Sequence, residues 1–212
     1  MFNIKNYEDV PGMILTPQCE DIIKIAKQLP ENSTVIEIGC AWGKSTWCWI
    51  EGLPKGSTLI TIDVFMLDEK KGKHKNRQQT VGNPVINTIM EYWMQHTGYE
   101  TVLKVLEEHP RKELVNHTIY HGSSSNFDLS KIKKLDCVYI DGNHKYPYVK
   151  ADLEKYGNIS KVICGDDYKP IGKSGSYKPQ MGVVEAVDEY CKNNDRIFWT
   201  DPESFFWTAL KK

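Results

Sequence analysis

The stretch Thr34-Val-Ile-Glu-Ile-Gly-Cys-Ala-Trp-Gly-Lys-Ser-Thr46 decides the fold. Thr34–Gly39 is an apolar run broken only by Glu37, and it reads as a buried strand. Gly39 and Gly43 then mark a turn, and Gly43–Gly52 carries a helical pattern. A buried strand that passes through a glycine turn straight into a helix is the opening of a parallel α/β sheet. Upstream, Thr16–Gln28 sets Ile22, Ile23, Ile25 and Ala26 at helical spacing, and Pro30-Glu31-Asn32 stops it.

The alternation continues downstream. Strands are expected at Leu59–Asp63, His117–His121, Leu135–Asp141 and Lys161–Gly165. Helices are expected over about Val85–His96, Thr101–His109, Tyr148–Tyr156 and Gly182–Asn193. Two β-rich runs, Arg196–Thr200 and Ser204–Leu210, close the chain. The few residues between them are too short for a parallel crossover, so they must pair antiparallel as a hairpin. The expectation is a doubly wound, mostly parallel, seven-stranded sheet in one domain spanning 1–212. The segment at about 65–115 is too long for a simple crossover and reads as an insertion, a lid or acceptor-binding region.

Composition narrows the function. Lys plus Arg number 27 against 28 Asp plus Glu, a net charge of −1, which argues against nucleic acid held by bulk charge. With 40% hydrophobic and 26% charged residues the chain reads as globular and not disordered. No apolar stretch reaches the roughly 18 residues of a membrane span. The N-terminus shows no secretory h-region, and the six cysteines form no C-x-x-C pair. A cytoplasmic protein with buried free thiols is expected, and sequons at Asn32, Asn116 and Asn158 read as incidental.

Ligands of an open parallel sheet bind beyond the carboxyl ends of the strands. Three motifs compete for the turn there. A dinucleotide fingerprint fails because Ala41 stands where its second glycine belongs. A phosphate loop fails because Gly39…Gly43-Lys44-Ser45 is one residue short. The third, an acid followed by G-x-x-x-G, fits: Glu37-Ile-Gly39-Cys-Ala-Trp-Gly43 resembles motif I of the class I S-adenosylmethionine (SAM)-dependent methyltransferases. A plain strand-to-helix turn remains an alternative. Asp63 ends the second strand, where an acid can accept from ribose hydroxyls, or else cap a loop.

The fourth and fifth strands end in Asp141-Gly-Asn-His144 and Asp166-Asp167-Tyr168. Carboxylates gathered at adjacent strand ends repel unless a cation holds them, and oxygen donors suit Mg²⁺, Mn²⁺ or Ca²⁺. The stretches LDCVYIDGNHKYPYVKADLEKY, VICGDDY and GVVEAVDEYC resemble the metal-dependent O-methyltransferases, in particular the macrocin-type sugar O-methyltransferase group. The resemblance covers about Ile14 to Leu210.

That resemblance implies a Rossmann-like methyltransferase that moves a methyl group from SAM to a hydroxyl of a small-molecule or sugar acceptor, assisted by Mg²⁺ or Mn²⁺. It implies cofactor contacts at Glu37, Gly39, Cys40, Gly43, Ser45, Asp63, Ser123, Ser124 and Asp141, with the Gly122–Ser125 loop beside the adenine. It implies metal ligands Asp141, Asp166 and Asp167, and catalytic Asp141 and His144. His144 stands where catechol-type relatives carry a lysine base, so the base itself is open between His144, Asp141 and Lys145. The expected partners are an acceptor, a sugar or an anionic metabolite, and a second copy of the chain, with neither nucleic acid nor membrane. A metal-dependent hydroxylase-like enzyme and a non-catalytic SAM- or nucleotide-binding module are the rival readings.

Other stretches have blander expectations. The basic run Lys70–Arg77 reads as a solvated lid, or as an attractor of an anionic acceptor. Trp42, Trp47 and Trp49 are expected to pack the first helix on the sheet. Phe198-Trp199 and Phe205-Phe206-Trp207 are expected in the hairpin core, and His117 with His121 lacks the companions of a zinc site.

Overall fold

A computed structural model describes residues 1–70, 82–168 and 181–211. Seven strands form one sheet: β1 (Thr34–Ile38), β2 (Thr58–Asp63), β3 (Asn116–His121), β4 (Leu135–Ile140), β5 (Ser160–Gly165), β6 (Arg196–Thr200) and β7 (Trp207–Lys211). Their order is β3-β2-β1-β4-β5-β7-β6. Every pair is parallel except β7 with its neighbours β5 and β6. The helices are α1 (Thr16–Gln28), α2 (Lys44–Gly52), α3 (Pro84–Gln95), α4 (Gly98–Leu106), α5 (Tyr146–Tyr156) and α6 (Met181–Asn193). The basic run beyond Lys70 lies outside the described residues. Among the described residues no helix is long and apolar enough to cross a membrane.

The alternation of strand side chains builds two cores. Val35, Leu59, Cys137 and Tyr139 face one side and pack with Ile22 of α1 and Trp49 of α2. Ile36, Ile38, Ile62, Val138 and Ile140 face the other and pack with Leu153 of α5 and Val187 of α6. Both faces of the central strands β1, β2, β4 and β5 are therefore largely buried, which explains their apolar sequence, whereas the edge strand β3 is polar and half-exposed. Ile89, Val102, Val105 and Leu106 from the segment after β2 share the first core. The described helices of that segment, α3 and α4, thus contribute to the main packing.

The structure moves several expected boundaries. α4 begins at Gly98, not Thr101, because Thr97 and Glu100 form a capping box over its first turn. The last strand begins at Trp207, not Ser204. Residues 201–206 make a tight turn closed by Phe205 N to Asp201 O (2.8 Å) and Asp201 N to Phe206 O (2.9 Å). Trp199 lies outside the expected hairpin core: on the edge strand β6 it alternates with half-buried Phe198 and is 49% exposed. Phe206 and Trp207 are fully buried as expected. Trp47 and Trp49 lie in the first core with the strand residues Val35, Leu59 and Cys137, as expected, and the Trp49 ring meets Tyr139 of β4 edge-on. Trp42 packs edge-on to Trp93 of α3 and Trp47 packs on His109.

Candidate active site

The chain runs outward from β1 through β2 to β3, then returns to β4 on the other side of β1. The crevice of such a sheet opens where the winding reverses, at the carboxyl ends of β1 and β4. Asp141 N donates to Ile38 O at 2.9 Å, so the two strand ends are tied together. Gly39 has φ +88°, and a Cβ there would lie 2.2 Å from the Asp141 carbonyl oxygen. Only glycine allows that approach. Gly43, at φ +94°, is the N-cap of α2 and turns the chain into the helix.

Asp63, at the end of β2, holds this turn. Its Oδ2 accepts from Cys40 N (2.7 Å) and Ala41 N (3.1 Å), and its Oδ1 from Phe65 N (2.6 Å). Sequence reasoning left Asp63 between a ribose acceptor and a loop cap; the Phe65 bond is such a cap, and the tether to Cys40 and Ala41 was missed. A carboxylate has about four acceptor directions, so three amides leave capacity for a hydroxyl donor.

Glu37 projects from β1 toward α2 and is completely buried. Its Oε2 accepts from Thr46 Oγ1 (2.6 Å) on α2 and Thr61 Oγ1 (2.8 Å) on β2. Half-buried His117 of β3 places its Nε2 3.1 Å from the same Thr61 hydroxyl. Among the described residues the Glu37 Oε1 atom has no hydrogen-bond partner. Burial pushes the carboxyl up to about 7, against the pull of Ser45, Thr46 and Thr61. Cys40 is buried and forms no disulfide. The orphan oxygen fits a site that receives a cationic group, since an unpaired buried charge is costly.

The serine loop after β3 faces α5. Ser124 Oγ donates to Asp152 Oδ1 (2.6 Å), Ser123 Oγ lies 2.8 Å from Ser125 Oγ, and Lys155 Nζ donates to the Ser124, Ser125 and Phe127 carbonyls. Burial pushes Asp152 up to about 6. The loop is therefore pinned in shape, with its serine hydroxyls engaged within the protein.

Beyond β4 and β5 the acids converge unequally. His144 Nε2 lies 3.2 Å from Asp141 Oδ1, and His144 Nδ1 lies 3.0 Å from Asp167 Oδ2. Donor atoms of Asp141, His144 and Asp167 all lie within 4.8 Å of one another, a spacing one cation can bridge. Asp167 adopts a left-handed backbone, φ +62°, uncommon outside glycine. Asp166 is turned elsewhere: its Oδ1 accepts from Gln18 Nε2 of α1 and from Asp167 N (2.6 Å). Sequence reasoning missed Gln18, whose partner is 148 positions away.

Charge explains the electrostatics. Burial, then the Asp141 and Asp167 charges, push Asp166 up to about 8. Burial raises Asp141, opposed by its bond to His144. Burial disfavours the His144 cation, but Asp141 and Asp167 outweigh it and carry the imidazole up to about 10. Both ring nitrogens therefore face a carboxylate oxygen.

The sequence matches the methyltransferase-domain family over residues 36–164. No curated protein matches it. Solved structures share its fold at low identity. The O-methyltransferase from Bacillus cereus, solved with S-adenosylhomocysteine, is 13% identical, with 96% of this chain and 86% of that chain covered and a TM-score of 0.57. The O-methyltransferase TomG from Streptomyces achromogenes, solved with SAM, is 15% identical, with 94% and 82% covered and a TM-score of 0.56. The methyltransferase PaMTH1 from Podospora anserina, solved with S-adenosylhomocysteine, is 17% identical, with 94% and 79% covered and a TM-score of 0.55.

Proposed function

The chain belongs to the methyltransferase-domain family, and on that premise we propose that it transfers a methyl group from SAM to a hydroxyl oxygen of a small-molecule acceptor. One observation carries the reading. The glycine turn after β1 and the Asp141–His144–Asp167 cluster adjoin at the carboxyl ends of β1 and β4, through the Gly39–Asp141 contact. A donor site and an acceptor site placed side by side are what a bimolecular transfer needs.

In this reading Asp63 accepts from the ribose, and the Glu37 oxygen without a partner attracts the methionine ammonium, directly or through water. Gly39 and Gly43 let the backbone pass close to the cofactor. The Ser123–Ser124 loop lies beside the adenine as a preshaped wall. The acceptor oxygen attacks the sulfonium methyl, the sulfur–carbon bond breaks, and S-adenosylhomocysteine leaves. The acceptor proton passes to the carboxylate cluster, where burial raises the proton affinity of Asp141. A Mg²⁺ or Mn²⁺ ion, when bound, would stabilise the developing alkoxide. The acceptor class that the Asp141–His144 stretch favours is a sugar or other polyhydroxylated metabolite.

The test is a screen of hydroxyl-bearing acceptors with methyl-labelled SAM, read as S-adenosylhomocysteine formation, with and without chelator. Turnover that stops with chelator and returns with Mg²⁺ or Mn²⁺ is expected. Tight binding of NAD or ATP without SAM binding would overturn the reading. SAM binding with no transfer to any acceptor would favour the non-catalytic binding module.

A further inference from the structure

We infer that one face of α5, carrying Asp152, Lys155 and Tyr156, is a clamp that fixes the shape of the Gly122–Ser125 loop, and that these three are positioning residues for the nucleoside end of the cofactor. The inference rests on the methyltransferase reading, which sets the adenine beside that loop. The clamp itself stands on geometry. Positions 152, 155 and 156 are three and four apart, so they share one side of the helix. All three reach the same residue, Ser124.

Ser124 is held at both of its polar ends. Its hydroxyl donates to Asp152 Oδ1 at 2.6 Å. Its carbonyl accepts from Lys155 Nζ at 2.9 Å and from the Tyr156 hydroxyl. Lys155 also reaches the carbonyls of Ser125 (2.8 Å) and Phe127 (2.7 Å). An ammonium has three donors, and here one ammonium gathers three carbonyls of a single turn. At the start of the loop, Gly122 N donates to Asp63 O at 2.9 Å. The loop is therefore anchored to β2 at one end and to α5 along its length.

Packing alone does not call for this arrangement. Val149 and Leu153 supply apolar contacts that seat α5 on the sheet. Asp152 is only 6% exposed, and taking a carboxylate out of water is costly. An apolar side chain at 152 would add to the packing without that cost. What the carboxylate supplies is a fixed hydroxyl on a loop at the carboxyl end of β3, on the edge of the sheet where ligands bind. A loop already in its bound shape spares the ligand the cost of ordering it. Asp152, Lys155 and Tyr156 thus act on the cofactor through the loop.

The experiment uses the full chain without acceptor or added metal. Calorimetry measures S-adenosylhomocysteine and 5′-methylthioadenosine, which share the nucleoside but not the amino-acid end. Asp152→Ala and Lys155→Met should each weaken both ligands by the same factor, roughly 5–20-fold. Asp152→Asn keeps an acceptor for Ser124 and should stay within about threefold of the wild type. Glu154→Gln, on the exposed side of α5, should stay within about twofold. If circular dichroism shows Asp152→Ala unfolded, Lys155→Met carries the test. Unchanged affinity in the folded variants, a loss confined to S-adenosylhomocysteine, or Asp152→Asn as weak as Asp152→Ala would overturn the clamp and leave the methyltransferase reading standing. A wild-type chain that binds neither ligand would overturn both.

Discussion

Glu37→Gln should stabilise the protein at alkaline pH and do the opposite at acid pH. Glu37 is completely buried, and burial lifts its carboxyl to about 7 from an ordinary value of 4.5. An acid with a raised pKa holds more protons folded than unfolded between those two values. Stability therefore falls as pH climbs from 4.5 to about 7, and levels off above. At about 1.4 kcal/mol per pH unit, the charged form costs the fold ~3 kcal/mol at alkaline pH. Glutamine keeps an oxygen for Thr46 and Thr61, but sets an amide N–H where Oε1 now lacks a partner. An unsatisfied neutral group of this kind costs about 1–3 kcal/mol. The variant should thus gain ~1–2 kcal/mol near pH 8.5 and lose a similar amount near pH 5. The assay is urea unfolding of both proteins across that range. The informative quantity is the change of their difference with pH, ~2–3 kcal/mol. A difference constant with pH would mean that Glu37 ionises without penalty, and the burial argument would fail. Under the proposed function SAM affinity should fall in the same variant, because the carboxylate proposed to attract the ammonium is gone.

Three further outcomes follow from other parts of the crevice. Asp63→Ala should weaken SAM binding by roughly 10–150-fold, the equivalent of about 1.5–3 kcal/mol for a charged hydrogen bond. It should also lower the melting temperature, because Cys40, Ala41 and Phe65 lose their amide acceptor; calorimetry and thermal melts read the two effects, and unchanged SAM affinity would remove Asp63 from the cofactor site. Gly39→Ala should cost more than about 1–3 kcal/mol, since a strained φ adds to a 2.2 Å clash with the Asp141 carbonyl; near-wild-type unfolding would show that β1 and β4 can part at their ends. His109 is buried, and burial lowers its imidazole to about 4 from 6.5, so its contribution is intact above 6.5 and lost as pH falls toward 4. That loss is worth ~3 kcal/mol, and His109→Gln should flatten the acid limb of the stability–pH curve by a similar amount.

The sequence by itself determined what local pattern and spacing encode. Apolar runs of strand length alternating with amphipathic helices dictate a parallel sheet, because such runs are stable only with both faces covered. Ile22 and Ala26 on one stripe of α1, and Val138 and Ile140 opposite Cys137 and Tyr139 on β4, could be sorted into faces from period alone. The antiparallel closing pair followed from the length of its connection. Glycine at 39 and 43, and acids at 37, 63, 141, 166 and 167, marked the strand ends where the crevice opens.

Tertiary structure decided the rest, because those facts depend on residues far apart in the chain. Which strand of the closing pair lies inside the sheet was set by packing: Trp207 and Ala209 of β7 are buried against β5, leaving Ile197 and Trp199 exposed on the edge. The tether from Asp63 to the turn needs β2 seated beside β1, across 23 positions. The two adjacent acids Asp166 and Asp167 look equivalent in sequence. They part company only because α1 brings Gln18 to one and the loop after β4 brings His144 to the other. Spacing along a chain reports which groups share an element. Which partner each carboxylate meets is a property of the groups that surround it, and only the folded chain assembles them.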